Sequence, residues 1–190
     1  ADDMQINLTR FSLFFPEKRR FFQQRAGLFH FNLGGNDRLF YSRRIGLSAQ
    51  GEPLRIYGGA RLTGHVGPLD FGLMSMQVAP EASKASQQIA VLRLRSKLHN
   101  PLSYVGGLLT SRIATTGQLQ LTYGLDSQLH LFGEEYLQLF WAHSLTDLHQ
   151  SDPTQHGLRA GASWERRGYA DFSYKTQAIY SSADFAPTLG

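Results

Sequence analysis

From Leu54 to Val66 the even positions are apolar or small: Leu54, Ile56, Gly58, Ala60, Leu62, Gly64 and Val66. The odd positions carry Arg55, Tyr57, Gly59, Arg61, Thr63 and His65. Gly67-Pro68 ends the run, because Pro cannot donate to a ladder and Gly permits a tight reversal. If Val66 meets Leu69 across that loop, Leu69, Phe71 and Leu73 continue the apolar face and Asp70 stands opposite His65. A period of two sustained this long predicts a hairpin with one apolar and one polar face. Each arm is long enough to cross a bilayer as a tilted strand, which takes about 9–11 residues.

The same period recurs along the chain. Met4, Ile6 and Leu8 alternate with polar neighbours and predict a first strand. Gln88–Leu98 and Leu102–Arg112 form a second hairpin about Asn100-Pro101, with Arg93, Arg95 and Lys97 on its polar side. From Leu119 to Leu131 the leucines alternate with Gln, Thr, Asp and His. A reversal at Gly133-Glu134-Glu135 then sets Leu137, Leu139 and Trp141 beside Leu131, Leu129 and Ser127. A last hairpin turns at Arg166-Arg167-Gly168 and returns along Tyr169–Tyr180. With the short 39–45 piece, about ten strands are expected. Leu62, Leu94, Leu109, Leu121, Leu139 and Ala162 should lie on one face, and Arg61, Arg93, Gln120, Gln138 and Arg159 on the other.

Residues 14–52 break the alternation. Pro16 suits the first turn of a short helix with Phe21, Arg25 and Leu28 on one side and Gly27 near its end. The segment is read as an ordered excursion whose Phe14, Phe15, Phe21 and Phe22 pack inward, since a bare aromatic patch of that size is rarely left exposed. Met74 and Met76, on the polar side of the first hairpin, would fill gaps against it.

Two sheet architectures fit such strands. Tight reversals at 67–68, 99–101, 133–135 and 166–168 alternate with polar connections at 79–87, 113–117 and 144–156, the habit of an outer-membrane barrel. A soluble sandwich more often uses shorter strands and Greek-key crossings. The fold expected is therefore all-β: an antiparallel up-and-down transmembrane β-barrel of about ten strands, with an aromatic-rich plug or rim excursion at 14–52. The edges should be the Met4 strand and the Tyr169–Tyr180 strand, left unjoined as an incomplete barrel wall.

A family resemblance points the same way. Phe14-Phe-Pro-Glu-Lys-Arg-Arg-Phe-Phe22, Phe40-Tyr-Ser-Arg-Arg-Ile-Gly46 and Gly58-Gly-Ala-Arg-Leu-Thr-Gly64 follow in the order found in one group, as do Tyr123-Gly-Leu-Asp126 and Ala183-Asp-Phe-Ala-Pro187. The chain resembles uncharacterised bacterial outer-membrane barrel proteins that carry an N-terminal domain similar to family-nine carbohydrate-binding modules. In that group Leu-Glu usually follows the second Phe-Phe pair, where Gln23-Gln24 stands here. The resemblance implies a fragment of the barrel part, 1–190 as one domain, in the outer membrane of a Gram-negative bacterium. Its segment 183–187 resembles a loop leading into further strands.

Composition narrows the function classes. Of 190 residues, 42% are hydrophobic and 18% charged, which excludes a disordered chain. Cysteine is absent, so no disulfide or thiolate metal site can form. The net charge of +4 is dispersed between strands rather than gathered on one face, unlike a nucleic-acid footprint. The His residues show no metal spacing, with His143, His149 and His156 straddling a loop. Glu134-Glu135 reads as a solvated turn, Gly106-Gly107 as a bend or close backbone approach, and no cofactor motif occurs. No enzyme chemistry is expected. Arg61, Arg93, Arg95, Lys97, Arg19, Arg20, Arg43 and Arg44 are the candidate lumen-facing or binding residues. They would either line a porin-like passage for polar or saccharide-type solutes or pair with Glu17, Asp37, Glu52 and Asp70 to hold the excursion. Membrane lipid is the expected partner; the alternative is a soluble periplasmic or extracellular glycan-binding β-sandwich.

Overall fold

The structure, a computed structural model, describes residues 16–34, 37–48, 51–80, 86–147, 154–168, 172–187 and 189. Among these, eight antiparallel strands form one up-and-down sheet in sequence order: β1 (Ile56–Val66), β2 (Leu69–Val78), β3 (Gln87–Lys97), β4 (Tyr104–Ala114), β5 (Leu119–His130), β6 (Glu135–Asp147), β7 (Gln155–Arg166) and β8 (Tyr174–Ser181). The sheet is open, and among the described residues no ladder joins β1 to β8. The expected Met4 strand, Phe14, Phe15, His149 and residues 169–171 lie outside the described residues.

The first hairpin keeps the register that Gly67-Pro68 dictates: Val66 opposes Leu69 and His65 opposes Asp70. Elsewhere turn length moves the register. The β5–β6 connection occupies residues 131–134, so Leu129 opposes Leu137 and Leu125 opposes Trp141. A three-residue reversal would instead set Leu131 against Leu137 and Ser127 against Trp141. In the last hairpin β7 ends at Arg166, which faces Tyr174 at the start of β8, so Phe172 stays outside the ladder. The β4–β5 connection, 115–118, is as tight as that at 131–134, so short and long ends contrast less than the sequence implies.

The two faces separate as the alternation implies. On one, Leu62, Leu94, Leu109 and Leu139 are exposed, with Leu121 and Ala162 half-buried, and among the described residues no second sheet lies against them. On the other, Met74, Met76, Val78, Ile89, Val91 and Leu108 are buried beneath a strap formed by residues 16–34 and 37–48. The methionines thus pack against the excursion.

The strap's form differs from the expected helix and strand. A four-residue α1 (Arg20–Gln23) stops at Gln24, and Arg25 takes the left-handed conformation (φ 49°) before a 3-10 turn at Ala26–Phe29. Residues 39–45 make no strand: a 3-10 turn at Ser42–Arg44 follows Phe40, which bridges Leu189 in parallel. Of the phenylalanines expected to form the packing core, Phe22 is buried and Phe21 is exposed. Phe29, Phe31, Phe40, Leu28, Leu33, Leu39 and Ile45 complete the strap's side of the core. The density of aromatics marks the strap, but its turns decide which rings face the sheet.

The tail after β8 also joins this core. Ser182 exchanges hydrogen bonds with Leu158, the Ala186 amide donates to Ser144 Oγ at 3.2 Å, and the Tyr41 amide donates to the Leu189 carbonyl at 2.6 Å. The tail crosses β7 and β6, passing over Gly157, where a side chain would strike Phe185. Gly72 serves the strap in the same way, since a Cβ there would stand 2.7 Å from the Phe29 ring. Gly72→Leu should therefore cost about 1–3 kcal/mol by overpacking and speed protease cleavage within residues 16–48. Unchanged cleavage would show that the strap does not depend on this contact.

Candidate functional site: an arginine-clamped strap

The strap lacks regular ladders, so its backbone carbonyls need donors from elsewhere. Arginines on the sheet supply them. From β3, Arg93 Nε donates to the Leu28 carbonyl at 3.2 Å. From β1, Arg61 Nη1 donates to the Phe21 carbonyl at 2.5 Å and Nη2 to that of Gln24. From β7, Arg159 donates to the Leu33 carbonyl at 3.3 Å and pairs with Asp37 at 2.6 Å.

Arg93 is the centre. It is completely buried, and its guanidinium forks onto the Asp126 carboxylate at 2.5 and 2.9 Å. The Tyr104 hydroxyl donates to the same carboxylate at 3.2 Å, and the Phe31 ring of the strap lies 5.5 Å from the guanidinium carbon. Gly106 makes the space: a Cβ there would meet Arg93 Nη1 at 2.9 Å and Asp126 Oδ1 at 3.0 Å. The close approach expected at this glycine is present, and an ion pair is its cause. Arg95, one pleat on, reaches Asp70 at 3.4 Å and stacks 5.3 Å from the Tyr104 ring, while Lys97 is exposed at the end of β3.

The strap holds itself with a second set. Arg19 pairs with Glu17 at 2.9 Å and donates to the carbonyls of Ile45 and Ser42, both at 2.8 Å. Arg43 donates to the Pro16 carbonyl at 2.9 Å. Arg20 and Arg44 are exposed. Burial pulls the Glu17 carboxyl upward, but hydrogen bonds from Arg19, Ser42 and the Arg19 amide outweigh it and hold the carboxyl at about 2.

The candidate cations therefore do not converge. Arg93, Arg95 and Lys97 part company along β3, Arg61 reaches the strap from β1, and Arg19 and Arg43 brace it from within. Pairing with Glu17 and Asp70 matches the sequence expectation, while Asp37 is met by Arg159, which is not among the candidates. Asp126 falls on the polar face of its strand in the sequence, but meeting Arg93 requires the registers of β3, β4 and β5 together. Glu135 departs from its expected solvated turn. It opens β6, is buried, and accepts hydrogen bonds from Trp164 Nε1 at 2.6 Å and the Tyr174 hydroxyl at 2.8 Å. A polar shelf continues from the strap onto the sheet: Asn32 donates to Gln138 at 2.7 Å, Ser163 Oγ to Gln138 at 3.2 Å, and Gln138 to Gln128 at 3.2 Å.

The profile of a domain of unknown function (DUF5916) matches residues 1–58. That stretch takes in the strap and the opening of β1, with Arg19, Arg20, Arg43 and Arg44, and ends before Arg61. No curated protein and no solved structure matches the chain.

Removing one partner of a buried pair leaves an uncompensated charge, so Arg93→Met or Asp126→Leu alone should destabilise by about 3–5 kcal/mol, and the double substitution by much less. Additive losses in thermal melts would show that the pair is not coupled. The depressed Glu17 carboxyl contributes stability that is complete above its ordinary value of 4.5 and lost as pH falls toward about 2. Protease sensitivity of the strap should rise across that interval, and Glu17→Gln should flatten the rise.

Proposed function

We propose that this chain forms part of the wall of a bacterial outer-membrane β-barrel, with its bare face toward lipid and its covered face, strap included, toward a lumen that handles polar solutes. The observation that carries the reading is the bare face itself. Across β1–β6 its lateral rows are Leu62, Leu73, Leu92, Leu109, Tyr123, His143 and Gly64, Phe71, Leu94, Gly107, Leu125, Trp141. Along β5 and β6 the band runs from Leu121 to Leu129 and from Leu137 to Leu145. Each stretch is at the short end of the about 9–11 residues with which a tilted strand crosses hydrocarbon. No helix among the described residues is long and apolar enough to cross a membrane, and a barrel crosses with strands in any case.

The rim and the covered face support the same orientation. Trp164 and Tyr174 end the apolar band at the 131–134 side, their polar tips turned to Glu135, with Phe132 and Phe172 exposed at the same end of the sheet. Amphipathic aromatics at that height suit a membrane–water boundary. Opposite the apolar rows, the Asn32, Gln138 and Gln128 amides with Ser163 offer neutral donors and acceptors, which suits uncharged polar solutes. Saccharides are the class that the family resemblance suggests. The role is passage or retention, and no catalytic step is assigned.

Refolding into lipid vesicles tests the sidedness. Leu125→Arg, at mid-strand on the bare face, should cost about 2–4 kcal/mol. Thr146→Arg, on the covered face, should change stability by no more than about 0.5 kcal/mol. Equal effects, or refolding that proceeds without vesicles or detergent, would refute the assignment of the bare face to lipid.

A further inference from the structure

Glu135 is a carboxylate taken out of water on the apolar side of the sheet. It opens β6 on the same face as Leu137, Leu139 and Trp141, and is 8% exposed. The Tyr174 hydroxyl donates to it, 2.9 Å from Oε1 and 2.8 Å from Oε2, and Trp164 Nε1 donates to Oε2 at 2.6 Å. One hydroxyl proton and one indole N–H engage two of the about four acceptor positions that a carboxylate offers. Both donors are neutral and leave its charge in place. The nearby cations Arg167 and Lys175 pair with Glu165, on the covered face. Arg166 stands opposite Glu135 in the register and its charge acts on Tyr174, but among the described residues no ion pair joins it to Glu135. Phe132 and Phe172 are exposed at the same end of the sheet, the Phe172 ring centroid 5.9 Å from that of Tyr174.

A desolvated anion held by aromatic side chains is complementary to an organic ammonium. The charge attracts it more strongly than in water, and the Trp and Tyr rings add cation–π attraction. We propose that Glu135, Trp164 and Tyr174 form a headgroup site for a zwitterionic membrane lipid that ends in a primary ammonium. The ammonium donates to the Glu135 carboxylate, and the acyl chains lie along the apolar rows that continue from Leu137 and Trp164. A primary ammonium carries three N–H donors and a trimethylated one carries none, so the open acceptor positions on Glu135 select the first. A headgroup without a cation would leave the carboxylate buried and unpaired. Position favours a lipid over a free amine, since the carboxylate lies where the apolar band ends. The assignment rests on the bare face meeting lipid, and adds which headgroup is held at its rim.

Titration of the full chain in dodecyl maltoside micelles tests the site. The probes are dihexanoyl phosphatidylethanolamine, phosphatidylcholine and phosphatidylglycerol, equal in chain length, with free ethanolamine beside them. Trp141→Phe leaves Trp164 as the one indole of the chain, so its emission reports on the surroundings of Glu135. A saturable change with the ethanolamine lipid is expected, at least about tenfold tighter than with the choline lipid, the glycerol lipid or free ethanolamine. Glu135→Gln keeps an acceptor for Trp164 and Tyr174 while removing the charge, and should bring the three lipids within about twofold of one another. Equal affinities for the three lipids, or for the ethanolamine lipid and free ethanolamine, in protein with Glu135 intact would overturn the assignment. So would a preference that Glu135→Gln leaves in place. The comparison among headgroups is made with Glu135 intact, so it decides the matter even if Glu135→Gln does not fold. Protein that refolds only in lipid or detergent yet treats the headgroups alike loses this site and keeps its lipid face, whereas protein that refolds without either loses both.

Discussion

The Arg93–Asp126 pair is the constraint on which the two-faced sheet turns. A guanidinium and a carboxylate withdrawn from water cost several kcal/mol each unless geometry and further hydrogen bonds compensate. Here the fork is bidentate, Tyr104 supplies a third donor to the carboxylate, and the Leu28 carbonyl takes the remaining Nε–H. Two of the groups that enclose the pair, Leu28 and Phe31, belong to the strap. The pair is dry only when the strap is docked, and the strap is positioned by the pair. Polar pairing and apolar burial therefore select the same arrangement of the covered face.

The apolar part of that face depends on missing side chains. Gly72, Gly106 and Gly157 lie where the Phe29 ring, the Arg93–Asp126 pair and the tail backbone at Phe185 come closest to the sheet. Gly124 does the same beneath Phe31, whose ring would stand 2.9 Å from an added Cβ. At Gly72, Gly124 and Gly157 the strap or tail approaches closer than a side chain on the sheet would allow, and at Gly106 the ion pair of β3 and β5 takes the space a side chain would fill. The bare face has no such complement: its leucines stand clear of any packed layer among the described residues.

Strand alternation made the two faces legible from the sequence alone, because a period of two fixes sidedness without any knowledge of partners. Leu62, Leu94 and Leu139 on one face and Arg93, Gln138 and Arg159 on the other follow from it directly. Register is less legible. It depends on how many residues a turn consumes, and one residue more at 131–134 moves every pair along β5 and β6. The strap is less legible still, since its aromatics follow no period and Arg25 reverses the chain with a left-handed conformation that no glycine announces. The partner of Arg93 could not be read from β3, because Asp126 reaches it across β4 and only through the gap at Gly106.

A lipid-facing sheet carries a stricter condition at its edges than on its face. Hydrocarbon offers no hydrogen bonds, so an edge strand must find a partner for each backbone group that points outward. Among the described residues β1 pairs with β2 alone and β8 with β7 alone. β8 is exposed along its whole length, touched by the strap at Gly34, which lies against Gln177 and Ile179, whereas β3 to β6 are buried at alternate positions. Devices that blunt an edge in water are sparse: one register shift at Ile56/Gly58 on β1 and Lys175 on β8. Such edges suit pairing rather than solvation. If the bare face meets lipid, strands other than β1–β8 must complete the ladder on both sides, and the covered strap then lies within the space they enclose.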